Sequence, residues 1–270
     1  MITREPVYRP PADTRRSELG RRVLDLVRNC GQALLLLASA IGCMRFIFQD
    51  RSRDRIVQQM FACGIKSLGV ITIVAMFTGM ILALQTGIEL RKFGQEVNIG
   101  AAVMVSLLRE MGPFMTALIL AASVGSSFAA QMGTMTVSEE IPALELMSID
   151  PVKFLVMPRL IAMAVMTPLL SFYCCILGVI GGGIVGATQL GVSWTSYIDN
   201  ATRYAENKDL YVGLLKAFFF GIIITIVACH EGFATRQGAV GVGRATRRTV
   251  ILSFLLILVV GYIVTRIFYI

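Results

Sequence analysis

Arg109 and Glu110 stand side by side in LLREMGPFMTALILAASVGSS, a run otherwise made of apolar and small residues. An adjacent cation and anion in such a place can bind an opposite charge or hold a polar group. Ionisable side chains at membrane depth are costly and face a cavity or each other. The alternative is a position at the outer interface, with both side chains snorkelling to water. Their place well inside the run favours the cavity. A second constellation lies in MTVSEEIPALELMSIDPVKFLVMPRLIA, where Glu139, Glu140, Glu145 and Asp150 separate two of the most apolar segments. Other chemistry is sparse. His230, the single histidine, ends an apolar run beside Glu231 and reads as solvated. Cys30, Cys43, Cys63, Cys174, Cys175 and Cys229 form no CxxC pair, have no histidine at ligand spacing, and read as packing residues, with no metal site. No Ser/His, paired-Asp or HExxH arrangement occurs, nor any GxxxxGK[ST] loop. Gly238–Gly243 is glycine-rich without the lysine and reads as a tight turn.

The elements that position these residues follow from composition. The chain has 270 residues, 56% of them hydrophobic and 16% charged, with a mean hydropathy of +0.72. Long apolar runs bury their backbone polar groups in lipid only as helices, so the chain reads as an all-α, multi-pass membrane protein. The net charge of +8 does not indicate nucleic acid. Its arginines cluster at the ends of apolar runs and in the first 55 or so residues, where anionic headgroups and the positive-inside rule account for them. No cleavable signal peptide is visible.

Apolar segments fall at 31–48, 67–88, 101–132, 154–190, 211–230 and 249–268. The first carries Arg45 and is followed by QDRSRDR. A crossing there would place those arginines opposite the arginine-rich tail. Residues 20–60 therefore read as an amphipathic interfacial or re-entrant region, after a disordered cytoplasmic tail at 1–19. Five crossings remain within 61–270, with the 133–153 connection on the cytoplasmic side. Residues 101–132 as one helix would measure ~48 Å at ~1.5 Å per residue, against a hydrocarbon core of ~30 Å. Gly112-Pro113 is the expected bend. Gly178, Gly182 and Gly186 stack hydrogen-only positions on one face, for packing within the chain or against another subunit.

In the acidic connection, Thr136 and Glu139 have capping-box spacing. Pro142 requires the helix to open near Ser138 or Glu139, and Asp150-Pro151 closes it and starts the next. Val137, Ile141 and Leu144 share one face. The resulting helix, about ten residues long, is too short to span. On physical grounds alone it lies flat at the interface.

The run from Arg109 to Ala162 resembles the signature region of the MlaE family, permease subunits of ABC transporters that move phospholipids or other lipids together with MCE-domain proteins. GIKSL at 64–68, FTGM at 77–80, QTG at 85–87, FG at 93–94 and GAVGVGRAT at 238–246 resemble it too, in consistent order over residues 60–268. The resemblance implies a homodimer with an elbow helix, five transmembrane helices per chain and a short cytoplasmic coupling helix fitted to a separate ATPase. Coupling contacts would be Ser138, Glu139, Glu140, Ile141, Leu144, Glu145, Met147 and Asp150, with Ile141, Leu144 and Met147 filling the ATPase groove. Two copies would enclose a lipid cavity lined by Phe77, Met80, Leu84, Arg109, Glu110 and Pro113. ATP and magnesium would be bound by the partner, with no cofactor in this chain. The setting would be a bacterial inner membrane, or less readily a plastid inner envelope. The family usually has Arg at the position of Ser123, Glu at Gln131, Asp at Pro142 and Gly at Ser148. The rival readings are an ATP-independent secondary transporter or channel, and an intramembrane enzyme.

Overall fold

The computed structural model describes residues 50–269, with residues 31, 32, 35–40 and 42 before them. The expected tail at 1–19 and half of the segment 31–48 lie outside the described residues. Among the described residues, five stretches are long and apolar enough to cross a membrane: Arg53–Arg91, Glu96–Val137, Val152–Gln189, Asn207–Phe233 and Gly238–Tyr269. In each, the chain satisfies its own backbone by helix formation, the arrangement that lipid demands.

The first stretch joins α1 (Asp50–Cys63) to α2 (Leu68–Arg91) through one 3-10 turn at Ile65–Ser67. Residues 50–60, within the region assigned above as interfacial, are helical and belong to α1. Arg55 of α1 lies 3.8 Å from the centre of the Phe154 ring, which places α1 at the same end as the acidic connection.

The second stretch is α3 (Ile99–Ser106), α4 (Gly112–Leu120) and α5 (Ser126–Val137), joined by π turns at Leu107–Met111 and Ala121–Gly125. The first π turn comes just before Gly112-Pro113. Pro113 has no N–H to return to the Arg109 carbonyl four residues back, and the irregular turn absorbs that loss.

After the short α6 (Glu140–Leu146) comes α7 (Met157–Gln189), the central pillar, in contact with α1, α2, α3, α4 and α9. Ile71, Ala75, Gly79, Ala83 and Gly87 make the buried stripe of α2. Small residues at this period let two backbones close up: a Cβ on Gly79 would stand 1.8 Å from the Gly178 carbonyl oxygen. Gly178, Gly182 and Gly186 all meet neighbours within the chain, on α2, α3 and Tyr197.

The connection after α7 holds α8 (Trp194–Tyr204), capped by Ser193, whose hydroxyl accepts from the Ser196 N–H at 3.2 Å. Two long helices follow, α9 (Asn207–Phe233) and α10 (Gly238–Tyr269). The expected tight turn at Gly238–Gly243 is instead the opening of α10. The reversal occupies only Ala234–Gln237, with Gln237 at φ 72° and Gly238 at φ 63°.

Candidate functional site

The charged pair of the second stretch does not pair with itself. Both residues reach across to α9. Arg109 Nε donates to Asp209 Oδ1 at 2.7 Å and Nη2 to Oδ2 at 3.2 Å, a forked guanidinium–carboxylate contact. Tyr269 Oη also donates to Asp209 Oδ1, at 2.7 Å, and the Arg109 guanidinium lies 4.6 Å from the Tyr269 ring centre. One helical pair away, Lys216 Nζ donates to Glu110 Oε1 at 2.6 Å, to the Arg109 carbonyl at 2.8 Å and to Thr265 Oγ1 at 2.7 Å. The carbonyl that Pro113 leaves without its helical donor is therefore taken by a buried ammonium. Thr265 in turn donates to Glu110 Oε1 at 2.6 Å.

Each pair is asymmetric. The Asp209 side chain is fully buried and that of Arg109 is 38% exposed; Lys216 is 1% exposed and Glu110 is 45% exposed. Asp209 and Lys216 are seven residues apart and share a face of α9. The sequence reading missed both, although a lysine in the middle of an apolar run signals an unmet need for a carboxylate. The network joins α9, α10 and the π turn of the second stretch.

Of the other expected cavity residues, Pro113 is buried beside this network. Phe77 and Leu84 are exposed on α2, and Met80 packs into the cluster around Ala83, Ile99 and Val103. The structure brings Arg109, Glu110 and Pro113 together and leaves the α2 residues on a different face.

The acidic connection is shorter than expected. Thr136 is inside α5, where its hydroxyl donates to the Met132 and Gly232 carbonyls, so no capping box forms. Glu139 caps α6 in the left-handed region at φ 59° with no side-chain bond, and Ser138 only ends α5. The helix has seven residues rather than ten, with Pro142 in its first turn. It closes in a Schellman motif: Ile149 N–H donates to the Leu144 carbonyl and Ser148 N–H to that of Glu145, with Ser148 at φ 59°. Ser148 thus occupies the left-handed position where the family usually has glycine. Asp150 starts the next helix as expected, accepting from the Val152 N–H at 2.9 Å.

Ile141 is buried and Leu144 half-buried against Met132, Leu155 and Leu160. They serve the chain's own core, so of the three residues expected to fill a partner's groove only Met147 points away. Leu146, at 88% exposed, joins it, with Glu139, Glu140, Glu145 and Asp150 around them.

A third polar feature lies inside this end. Arg159 is 6% exposed; it donates to the Leu155 carbonyl at 2.8 Å and to Gln131 Oε1 at 3.0 Å, and its Nε has no partner among the described residues. Gln131 stands where the family usually has Glu. His230 is largely sheltered rather than solvated, 3.9 Å from Glu231. Cys63, Cys174, Cys175 and Cys229 are free and buried, while Cys30 and Cys43 lie outside the described residues.

A family model described as "Permease MlaE" matches residues 56–267. The chain belongs to the MlaE permease family. A "probable ABC transporter permease protein" of Rickettsia felis is 37% identical over 253 residues, covering 94% of this chain and 97% of that one. The "intermembrane phospholipid transport system permease protein MlaE" of Haemophilus influenzae is 34% identical over 259 residues, covering 94% and 97%. The chloroplastic protein TRIGALACTOSYLDIACYLGLYCEROL 1 of Arabidopsis thaliana is 32% identical over 213 residues, covering 79% of this chain and 61% of that protein. The MlaE match spans the acidic connection and all of the charged network but Tyr269.

Proposed function

We propose that this chain is the non-catalytic permease of an ABC transporter that moves phospholipid or a related lipid, acting as a pair of copies in a bacterial inner membrane. Family membership and the named functions of its relatives support the class. The observation that carries the mechanism is α6: a seven-residue helix, fixed at both ends by left-handed residues, that presents Leu146 and Met147 among acids at one end of the molecule. Such a rigid apolar tip suits the groove of a cytoplasmic partner.

The chain has no phosphate-cradling loop, so the partner would bind ATP and magnesium. Force applied at α6 would pass into α5 and α7. It would reach the Arg109–Asp209 and Glu110–Lys216 pairs, whose half-exposed members would face the lipid headgroup between two copies. An MCE-domain protein would take or deliver lipid on the opposite side.

A cysteine at Leu146 is expected to crosslink to the co-expressed ATPase and to react with membrane-impermeant maleimide only from the cytoplasmic side. Labelling from outside alone would overturn the topology. In proteoliposomes, lipid movement that continues without ATP would instead favour a secondary transporter.

A further inference from the structure

We infer that the start of α10 carries a binding site for the phosphate of an anionic lipid headgroup from the cytoplasmic leaflet, separate from any transported lipid. Arg236 from the reversal and Arg244 and Arg248 from α10 line a pocket of about 160 Å³, with Glu231 the only carboxylate among its described lining residues. None of the three arginines forms an ion pair among the described residues. Arg244 Nη1 donates to Gln237 Oε1 at 3.1 Å, which uses one of its five N–H groups and leaves the rest for a ligand. The pocket also sits at the positive end of a 32-residue helix.

The surface beyond it selects a lipid over a free anion. Arg244, Arg248, Ile251 and Leu255 follow at helical spacing on one face of α10, and Ile251 and Leu255 are 48% and 51% exposed. A headgroup at the arginines would lay its acyl chain along these residues, charge against charge and apolar against apolar. An acidic protein surface would have no use for that track. The inference rests on the sidedness of the chain, not on lipid transport, so each can fail alone.

The test titrates the full-length chain in detergent with short-chain phosphatidylglycerol, with phosphatidylcholine of the same chain length, and with inorganic phosphate, reading the thermal midpoint. Phosphatidylglycerol is expected to stabilise saturably and the other two to do little. In Arg244→Gln/Arg248→Gln its apparent affinity is expected to weaken about ten-fold or more. Unchanged affinity in that variant overturns the site, as does an equal response to phosphatidylcholine. Saturation by inorganic phosphate alone would assign the pocket to the free ion and overturn the lipid. Loss of ATPase association with the phosphatidylglycerol response intact would make it a protein contact and also overturn it. Should the double variant fail to fold, Arg248→Gln alone is read, since Arg248 has no side-chain bond among the described residues to lose.

Discussion

A buried charge that loses its partner is worse off than an exposed one, and the Glu110–Lys216 pair turns that rule into an ordering. Glu110→Ala strands a 1% exposed ammonium and is expected to destabilise by about 3 kcal/mol; Lys216→Met leaves a half-exposed carboxylate and costs less. Unfolding of the two variants in mixed micelles gives the comparison, and equal losses would count against the pairing. Glu110→Lys sets two cations together, and the swap Glu110→Lys/Lys216→Glu is expected to recover part of the loss. Arg159 presents the opposite case, a buried cation whose hydrogen-bonded side-chain partners among the described residues are a neutral amide and a thioether. Gln131→Glu is expected to stabilise by about 1 kcal/mol, since hydrogen bonds between charged groups are the stronger kind, and a thermal midpoint that falls would refute the charge argument. At this scale the sequence made the need for partners visible at Arg109 and Glu110. It could not name Asp209 and Lys216, because a pairing across about a hundred residues leaves no local periodicity.

The short helix α6 shows what elements reveal and conceal. Its end was legible, since Asp150-Pro151 is a start signal that any preceding helix must respect. Its beginning was not: Thr136 and Glu139 have the right spacing, but α5 runs through Thr136 and the reversal is made by Glu139 in a conformation its residue type does not announce. Non-glycine residues pay roughly 1–2 kcal/mol in the left-handed region. Ser148→Gly is therefore expected to tighten the closure of α6 by up to about 1 kcal/mol, read as slower hydrogen exchange of the Ser148 and Ile149 amides. Faster exchange would show that the serine is not strained. The long segments were read as helices correctly, and in the second of them a π turn ends directly before Gly112-Pro113, where the sequence signals an irregularity.

Across the whole molecule, α7 is the post against which α1, α2, α3, α4 and α9 lean, and α8 is wedged in at the end opposite α6. Tyr197 of α8 is fully buried, packs near Gly182 and donates to the Val179 carbonyl at 3.3 Å. Burial pushes its phenol from 10.0 up to about 12. The folded chain holds that proton more tightly than the unfolded one, so its contribution is complete below pH 10.0 and is lost as pH climbs to about 12. Unfolding midpoints of the wild type are expected to fall across that window more steeply than those of Tyr197→Phe; parallel curves would discount the phenol. The charged network also bears on how the protein is made. The fourth hydrophobic stretch is strongly apolar but carries Asp209 and Lys216, and ionisable groups entering a bilayer unpaired add to the cost of insertion. Because Arg109 and Glu110 precede it in the chain, the order of synthesis makes both counter-charges available before it, which lowers the cost of bringing Asp209 and Lys216 into the bilayer.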